Sequence, residues 1–142
     1  MLRAIKKPFS TKTTRIGSTR WVETRLDDKV REILPLLETH CFTCSTTYGL
    51  QVGHLFERRW RHGRFDTSID GNNHRQCSPC NARHEERPEI YTNKYIDRFG
   101  PAAYQALEFR VKSNQKLTYS DLLALLEEKQ EQLNRLKGKR VA

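Results

Sequence analysis

Long apolar runs are missing from this chain. The longest, Leu122-Leu-Ala-Leu-Leu126, falls far short of the ~20 residues that a membrane helix needs. Nor does an apolar h-region follow the basic start Met1-Leu-Arg-Ala-Ile-Lys-Lys-Pro8, so neither a membrane anchor nor a secretory signal is expected. Apolar residues make up only 36% of 142 positions, which allows one domain with an appendage and a small core. Acids are scarce as well: 17 Asp and Glu stand against 26 Lys and Arg, giving +9 and a pI near 9.7. That excess suits a polyanion, because Lys and Arg that neutralise phosphates release counterions. Charge alone does not choose between DNA, RNA, an acidic protein and simple solubility.

Cysteine occurs four times, as Cys41-Phe-Thr-Cys44 and Cys77-Ser-Pro-Cys80, with none left over. A Cys-x-x-Cys turn lets two thiolates reach one ion, and two such turns complete a four-thiolate zinc site. In the cytosolic setting expected here, such pairs are metal ligands rather than disulfides. An ion closing the loop between them would compensate for the small core.

Residues 1–20 carry six Lys/Arg and no acid, and residues 1–26 are expected to form a flexible basic arm. From Asp27 the pattern is helical, with Leu26, Val30, Ile33, Leu34 and Leu37 on one stripe and Pro35 forcing a kink or an early stop. Leu50 and Val52 alternate toward a short strand ending at His54. Glu57 to Asp66 reads as a long basic loop. Its Arg58, Arg59, Arg61 and Arg64 suit phosphates, and Trp60 suits either an unpaired base or the core. Arg75 and Arg83 extend the same candidate DNA surface. A second strand or turn leads into Cys77, and helix is expected from Asn81 to Pro88. Further helices follow from Pro88 to Gly100, from Pro101 to about Val111, and after a cap at Thr118 or Ser120. The last carries Leu122, Leu125, Leu126, Leu133 and Leu136, a stripe for the chain's own core or for a second copy. The expected class is α+β, mainly helical. A zinc-stapled ββα core spans 27–87, between the arm and a helical extension at 88–142.

A zinc ion with four thiolates has no open position, so any catalysis needs a second centre. His54 at a strand end and Asn81 at a helix start are its candidates. A neutral imidazole can take a proton from water, and an Asn carbonyl oxygen is a hard ligand for Mg²⁺ or Mn²⁺. Asn72 is placed to orient His54 through its other ring nitrogen. His74 and His84 are further candidates for ligation or phosphate contact.

The combination Cys-x-x-Cys, Gly53-His54, Arg64-Phe65, Asn72-x-His74-x-Gln76-Cys77-x-x-Cys80-Asn81 and Tyr95-Ile-Asp-Arg-Phe-Gly100 resembles the zinc-stapled HNH (ββα-metal) nucleases. More closely, it resembles the lambdoid phage NinG family, also called Rap, over roughly residues 27–137. The resemblance implies a metal-dependent endonuclease acting on Holliday junctions and D-loops in phage recombination, in the bacterial host cytoplasm. By that resemblance His54 is the general base, Asn72 the central asparagine, and Asn81 stands in place of a final histidine. Many HNH sites carry an acid directly before the first histidine, where this chain has Gly53. Either Asp66, Asp70 or His74 then supplies the missing ligand, or His54 is itself the ligand. Symmetric resolution of a junction would need two active sites, for which the final helix offers a dimer contact. The competing reading is a non-catalytic zinc module that binds branched or single-stranded DNA.

Overall fold

The computed structural model describes residues 17–141, with side chains through 138. Helix α1 spans Thr19–Leu37. Ser18 caps it, its hydroxyl accepting from the Trp21 amide at 3.0 Å. Val22, Leu26, Val30, Ile33 and Leu34 bury the expected stripe, which therefore extends one turn further back than Leu26. The helix begins well before Asp27, so the basic arm expected to reach residue 26 gives way to ordered helix from Thr19. The rest of that arm, residues 1–16, lies outside the described residues. Pro35 lies inside the helix, which stops two residues later at Leu37.

Strands β1 (Leu50–His54) and β2 (Asn73–Cys77) pair antiparallel, with Gly53 opposite His74 and His54 opposite Asn73. The segment between them is not wholly loop. One helical turn, α2 (Arg61–Arg64), interrupts it. Helix α3 spans Ser78–Glu86, so Cys80 sits within its first turn rather than ahead of it. Pro79 suits that turn, where an N–H would lack a helical partner anyway. Helices α4 (Pro88–Phe99) and α5 (Pro101–Val111) join at Gly100, whose φ of 94° is the left-handed geometry that glycine tolerates. Helix α6 (Tyr119–Val141) is capped by Thr118. Its hydroxyl accepts from the Asp121 amide at 3.1 Å, and the Asp121 carboxylate accepts from the Thr118 amide at 2.9 Å.

Two apolar clusters flank the hairpin. In one, Val22, Leu26, Val30 and Leu34 of α1 meet Leu122 of α6 and Phe65, with Leu125 and Leu126 packed alongside. The leucine stripe thus closes onto α1 within the chain. In the other, Phe42 and Leu55 meet Tyr91, Tyr95, Leu107 and Val111. The architecture is α+β and mainly helical. Among the described residues, no helix is long and apolar enough to cross a membrane.

Candidate metal centre and catalytic cleft

The four cysteine sulfurs lie within 4.8 Å of one another. A tetrahedral site with Zn–S bonds of ~2.3 Å has sulfur–sulfur edges of about 3.8 Å, and Cys44 Sγ lies 3.7 Å from Cys77 Sγ. The set therefore fits a structural metal such as zinc. Burial works against the Cys41 thiolate, but amide donors of Cys44, Cys77 and Thr43 outweigh it and bring the thiol down to about 7. Burial and the neighbouring sulfurs push the Cys80 thiol the other way. A cation at the centre of the four sulfurs would relieve their crowding.

The cluster joins the Cys41 turn, the end of β2 and the start of α3, which frames the end of β1. There His54 Nδ1 meets Asn73 Oδ1. The Asn73 amide nitrogen donates to the carbonyls of Gly63 (3.1 Å), Arg64 (2.9 Å) and Asp66 (2.8 Å). Three acceptors fix which end of that amide is nitrogen. Asn73 Oδ1 must then accept, so His54 carries its proton on Nδ1 and leaves the Nε2 lone pair free. Burial is the main cause that lowers the His54 pKa; the Asn73 bond opposes it and the Arg58 charge adds to it. The ring is held neutral, in one tautomer.

His54 lines a cleft of about 540 Å³ between α1 and the hairpin, together with Gln51, Asn81, Arg31, Arg58, Arg64 and Arg75. The arginines are not bare. Arg64 forks onto Asp27 at 2.7 and 3.2 Å, and Arg58 reaches the same carboxylate at 3.0 Å. Next to them Arg61 pairs with Glu23 at 2.7 Å. Three arginines thus face two acids of α1, and a positive excess remains. Arg75 is tethered to the Glu38 backbone carbonyl at 3.3 Å. Arg59 bonds Glu57 at 3.0 Å and lies over Trp60, 4.6 Å from the ring centroid. Trp60 itself is half-buried against the second apolar cluster, the core reading of its two. Arg83 is exposed on α3 beside Thr43 and Arg87, and does not line the cleft.

Asn72 does not orient His54. Its side chain bridges Phe56, accepting from the amide at 2.7 Å and donating to the carbonyl at 3.0 Å, and also donates to Gly63 O at 3.1 Å. Asn73 takes the orienting role because strand register sets it opposite His54. His74 points to the other face of the sheet and is fully buried. It stacks on Phe42 at 4.2 Å, and both its nitrogens face acceptors, Glu38 Oε2 at 2.5 Å and Gly71 O at 3.1 Å. Both contacts lie inside the fold, and His74 does not line the cleft. Asp66 is likewise occupied. Burial opposes its ionisation, but bonds from Ser68 and the Asn72 amide, with the Arg110 charge, hold its carboxyl below the usual range. It shapes the 66–72 turn and does not line the cleft. His84 Nε2 donates to Leu55 O at 3.0 Å, inside the fold. Asn81 does line the cleft, its amide donating to Gln51 Oε1 at 2.6 Å.

Gly53, in the place of the expected acid, has a packing reason. A Cβ there would lie 2.1 Å from Gln76 Oε1. The position faces the buried side of the sheet.

No expectation attaches to Asn73 or Glu23 in the sequence, and Asp27 marks there only the start of the first helix. The signal for Asn73 was register, since only one member of the Asn72-Asn73 pair can lie opposite His54.

Residues 27–139 match the family model described as Bacteriophage Lambda NinG protein. Among curated proteins, and among solved structures, nothing matches the chain.

Proposed function

Because the chain belongs to the bacteriophage lambda NinG family, we propose that it is a metal-dependent DNA endonuclease cutting branched recombination intermediates such as Holliday junctions and D-loops. The observation that carries this reading is the His54–Asn73 pair. It supplies a neutral imidazole with its Nε2 lone pair free, in a cleft rimmed by arginines.

In the proposed reaction His54 Nε2 accepts a proton from the attacking water, and Asn73 holds the imidazolium that results through Nδ1–H. Arg58, Arg64 and Arg75 receive the phosphates that flank the scissile bond. A divalent cation, Mg²⁺ or Mn²⁺, when bound, would polarise the phosphoryl oxygens and stabilise the leaving oxygen. Asn81, with Gln51 beside it, is the group of this cleft that would hold it, in place of the expected Asp66 or His74. The four cysteines, with zinc, fix Asn81 against the end of β1.

A non-catalytic zinc module that binds DNA is the competing reading, and one observation favours it. The only carboxylate lining the cleft among the described residues, Asp27, is already held by two arginines. A synthetic four-way junction incubated with the purified protein and Mg²⁺ or Mn²⁺ separates the two. Metal-dependent cutting that His54→Ala abolishes, with junction binding retained, is the expected result. Binding without cutting would establish the module instead.

A further inference from the structure

The leucine stripe of α6 has a polar break. Between Leu126 and Leu133 it carries Lys129 and Gln132, three residues apart. Lys129 is only 9% exposed, and a lysine is rarely buried without a partner. Its Nζ donates to Thr67 Oγ1 at 2.7 Å. Thr67 is itself buried, and its hydroxyl donates onward to Gln132 Oε1 at 2.6 Å. One turn of α6 therefore grips Thr67 from two sides. Burial lowers the Lys129 pKa, and the Asp66 carboxylate opposes it. A leucine at 129 would continue the stripe without burying an ammonium group, so packing does not account for the lysine.

Thr67 closes the segment that fixes Asn73. The carbonyls of Gly63, Arg64 and Asp66 accept from Asn73 Nδ2 at 3.1, 2.9 and 2.8 Å. They set which end of that amide faces His54, and so which ring nitrogen carries the proton. The shortest of the three bonds goes to the peptide that joins Asp66 to Thr67. That peptide is a rigid plane, and its carbonyl turns if either flanking residue turns. On one flank the Asp66 carboxylate is held by the Asn72 amide at 3.0 Å and by Arg110 of α5 at 3.3 Å. On the other flank, α6 holds the Thr67 side chain.

Resting on the reading of His54 as the base, we propose that Lys129, with Gln132, is a positioning residue for that site. It fixes Thr67, so that the Asp66 carbonyl holds Asn73 and Asn73 keeps the His54 proton on Nδ1. Lys129 does not line the cleft, and reaches His54 through Thr67, Asp66 and Asn73.

The test uses the zinc-loaded full chain with ¹⁵N-labelled histidine, whose ring nitrogen shifts report the tautomer. Lys129→Met keeps an unbranched apolar stem and removes the donor. The double variant Thr67→Val with Lys129→Met replaces the buried polar pair by an apolar one, so neither partner is left unpaired. Gln132→Ala, at a half-buried position, probes the same grip with a milder change. Leu133→Ala, a buried residue of the same helix, is the control for lost stability alone.

In the three grip variants the Nδ1–H form of His54 is expected to give way in part to Nε2–H. The ring's midpoint is expected to move further down, because the Asn73 bond favours the protonated ring. Junction cleavage at saturating DNA is expected to fall by up to about 100-fold with binding retained, the scale of a misplacement near 1 Å. Leu133→Ala is expected to lower the urea midpoint and leave the tautomer as it is.

A folded double variant with an unchanged tautomer and midpoint would overturn the proposal. So would the same tautomer change in Leu133→Ala, which would make it a general loosening. Junction cutting by wild type, with a His54 tautomer indifferent to all three grip variants, would sink the positioning role and leave the nuclease reading standing. A tautomer shift in those variants, with no cutting by wild type, would support the grip and remove the nuclease reading.

Discussion

The Tyr91 hydroxyl donates to the backbone carbonyl of Gly53 at 2.9 Å, from a ring that is 1% exposed. This bond ties α4 to the residue that precedes His54, so the helical extension and the cleft share a support. Burial pushes the phenol's pKa well up and keeps it a donor. Tyr91→Phe removes the donor and little else. The expected loss is about 1–2 kcal/mol of stability, read as a lower urea midpoint at unchanged slope. An unchanged midpoint would show the bond to be incidental.

Gly53 should reject even a methyl group. Gln76 is fully buried and its amide donates to Thr43 Oγ1 at 2.8 Å, so it cannot yield without losing that bond. Gly53→Ala is expected to cost about 1–3 kcal/mol by overpacking. Adding Gln76→Ala should make the double variant less destabilised than the sum of the two single changes. Strict additivity in a double-mutant cycle would show that the two positions do not collide.

The pH dependence of His54 has a definite sign. Burial lowers its folded pKa below the ordinary 6.5. Between 6.5 and that lower midpoint the unfolded chain binds more protons, so this group's contribution to stability falls as pH falls through the window. In the proposed reaction the free base likewise persists below pH 6.5, which displaces the acid limb of cleavage downward. NMR titration of the ring nitrogens should show the Nδ1–H tautomer and a midpoint below 6.5. A midpoint above 6.5 would contradict the arrangement.

Removing zinc should undo the middle of the protein. The Cys41 turn, β2 and α3 meet at the sulfurs, and among the described residues only Leu50 packs on them as a partly buried apolar neighbour. Structural zinc sites contribute on the order of 10 kcal/mol of apparent binding free energy, far more than that contact can replace. Strong chelation, or Cys80→Ser, is expected to cost far-UV circular dichroism and the Tyr91–Gly53 contact. An unchanged spectrum in protein shown to be zinc-free would overturn this.

Asp27 should restrain DNA binding. It occupies Arg58 and Arg64, which a phosphate would otherwise recruit. Asp27→Asn is expected to tighten binding to any DNA and to steepen its salt dependence by about one to two phosphate contacts. Fluorescence anisotropy over a salt series measures both. Weaker binding at every salt concentration would mean that Asp27 chiefly positions the arginines.

Much of this architecture was legible in local pattern. The paired cysteines, the α1 stripe from Leu26 and the strand ending at His54 all depend on spacing within one or two turns. What escaped depends on contacts distant in sequence. Register made Asn73, not Asn72, the partner of His54. Strand alternation sent His74 to the far face, where Phe42 and Glu38 hold it. The turn at 66–72 took up Asp66. The arginine rim looked bare because its acids, Glu23 and Asp27, lie on a helix about 35 residues earlier, as the spacing of Asp27 and Arg64 records. The start of α1 did carry a local signal that was missed. Trp21 and Val22 continue the Leu26 stripe behind Ser18, a residue type favoured at helix caps.

The packing of α6 on α1 also sets an order of events. The helices span 19–37 and 119–141, so the contact that covers Val22, Leu26 and Val30 joins remote parts of the chain. A nascent chain leaving the ribosome displays that apolar stripe until the last helix emerges. Such a late, long-range contact slows folding and leaves a sticky surface during synthesis. Loss of α6 would then reveal itself first as aggregation of newly made protein, before any defect at the cleft could be measured.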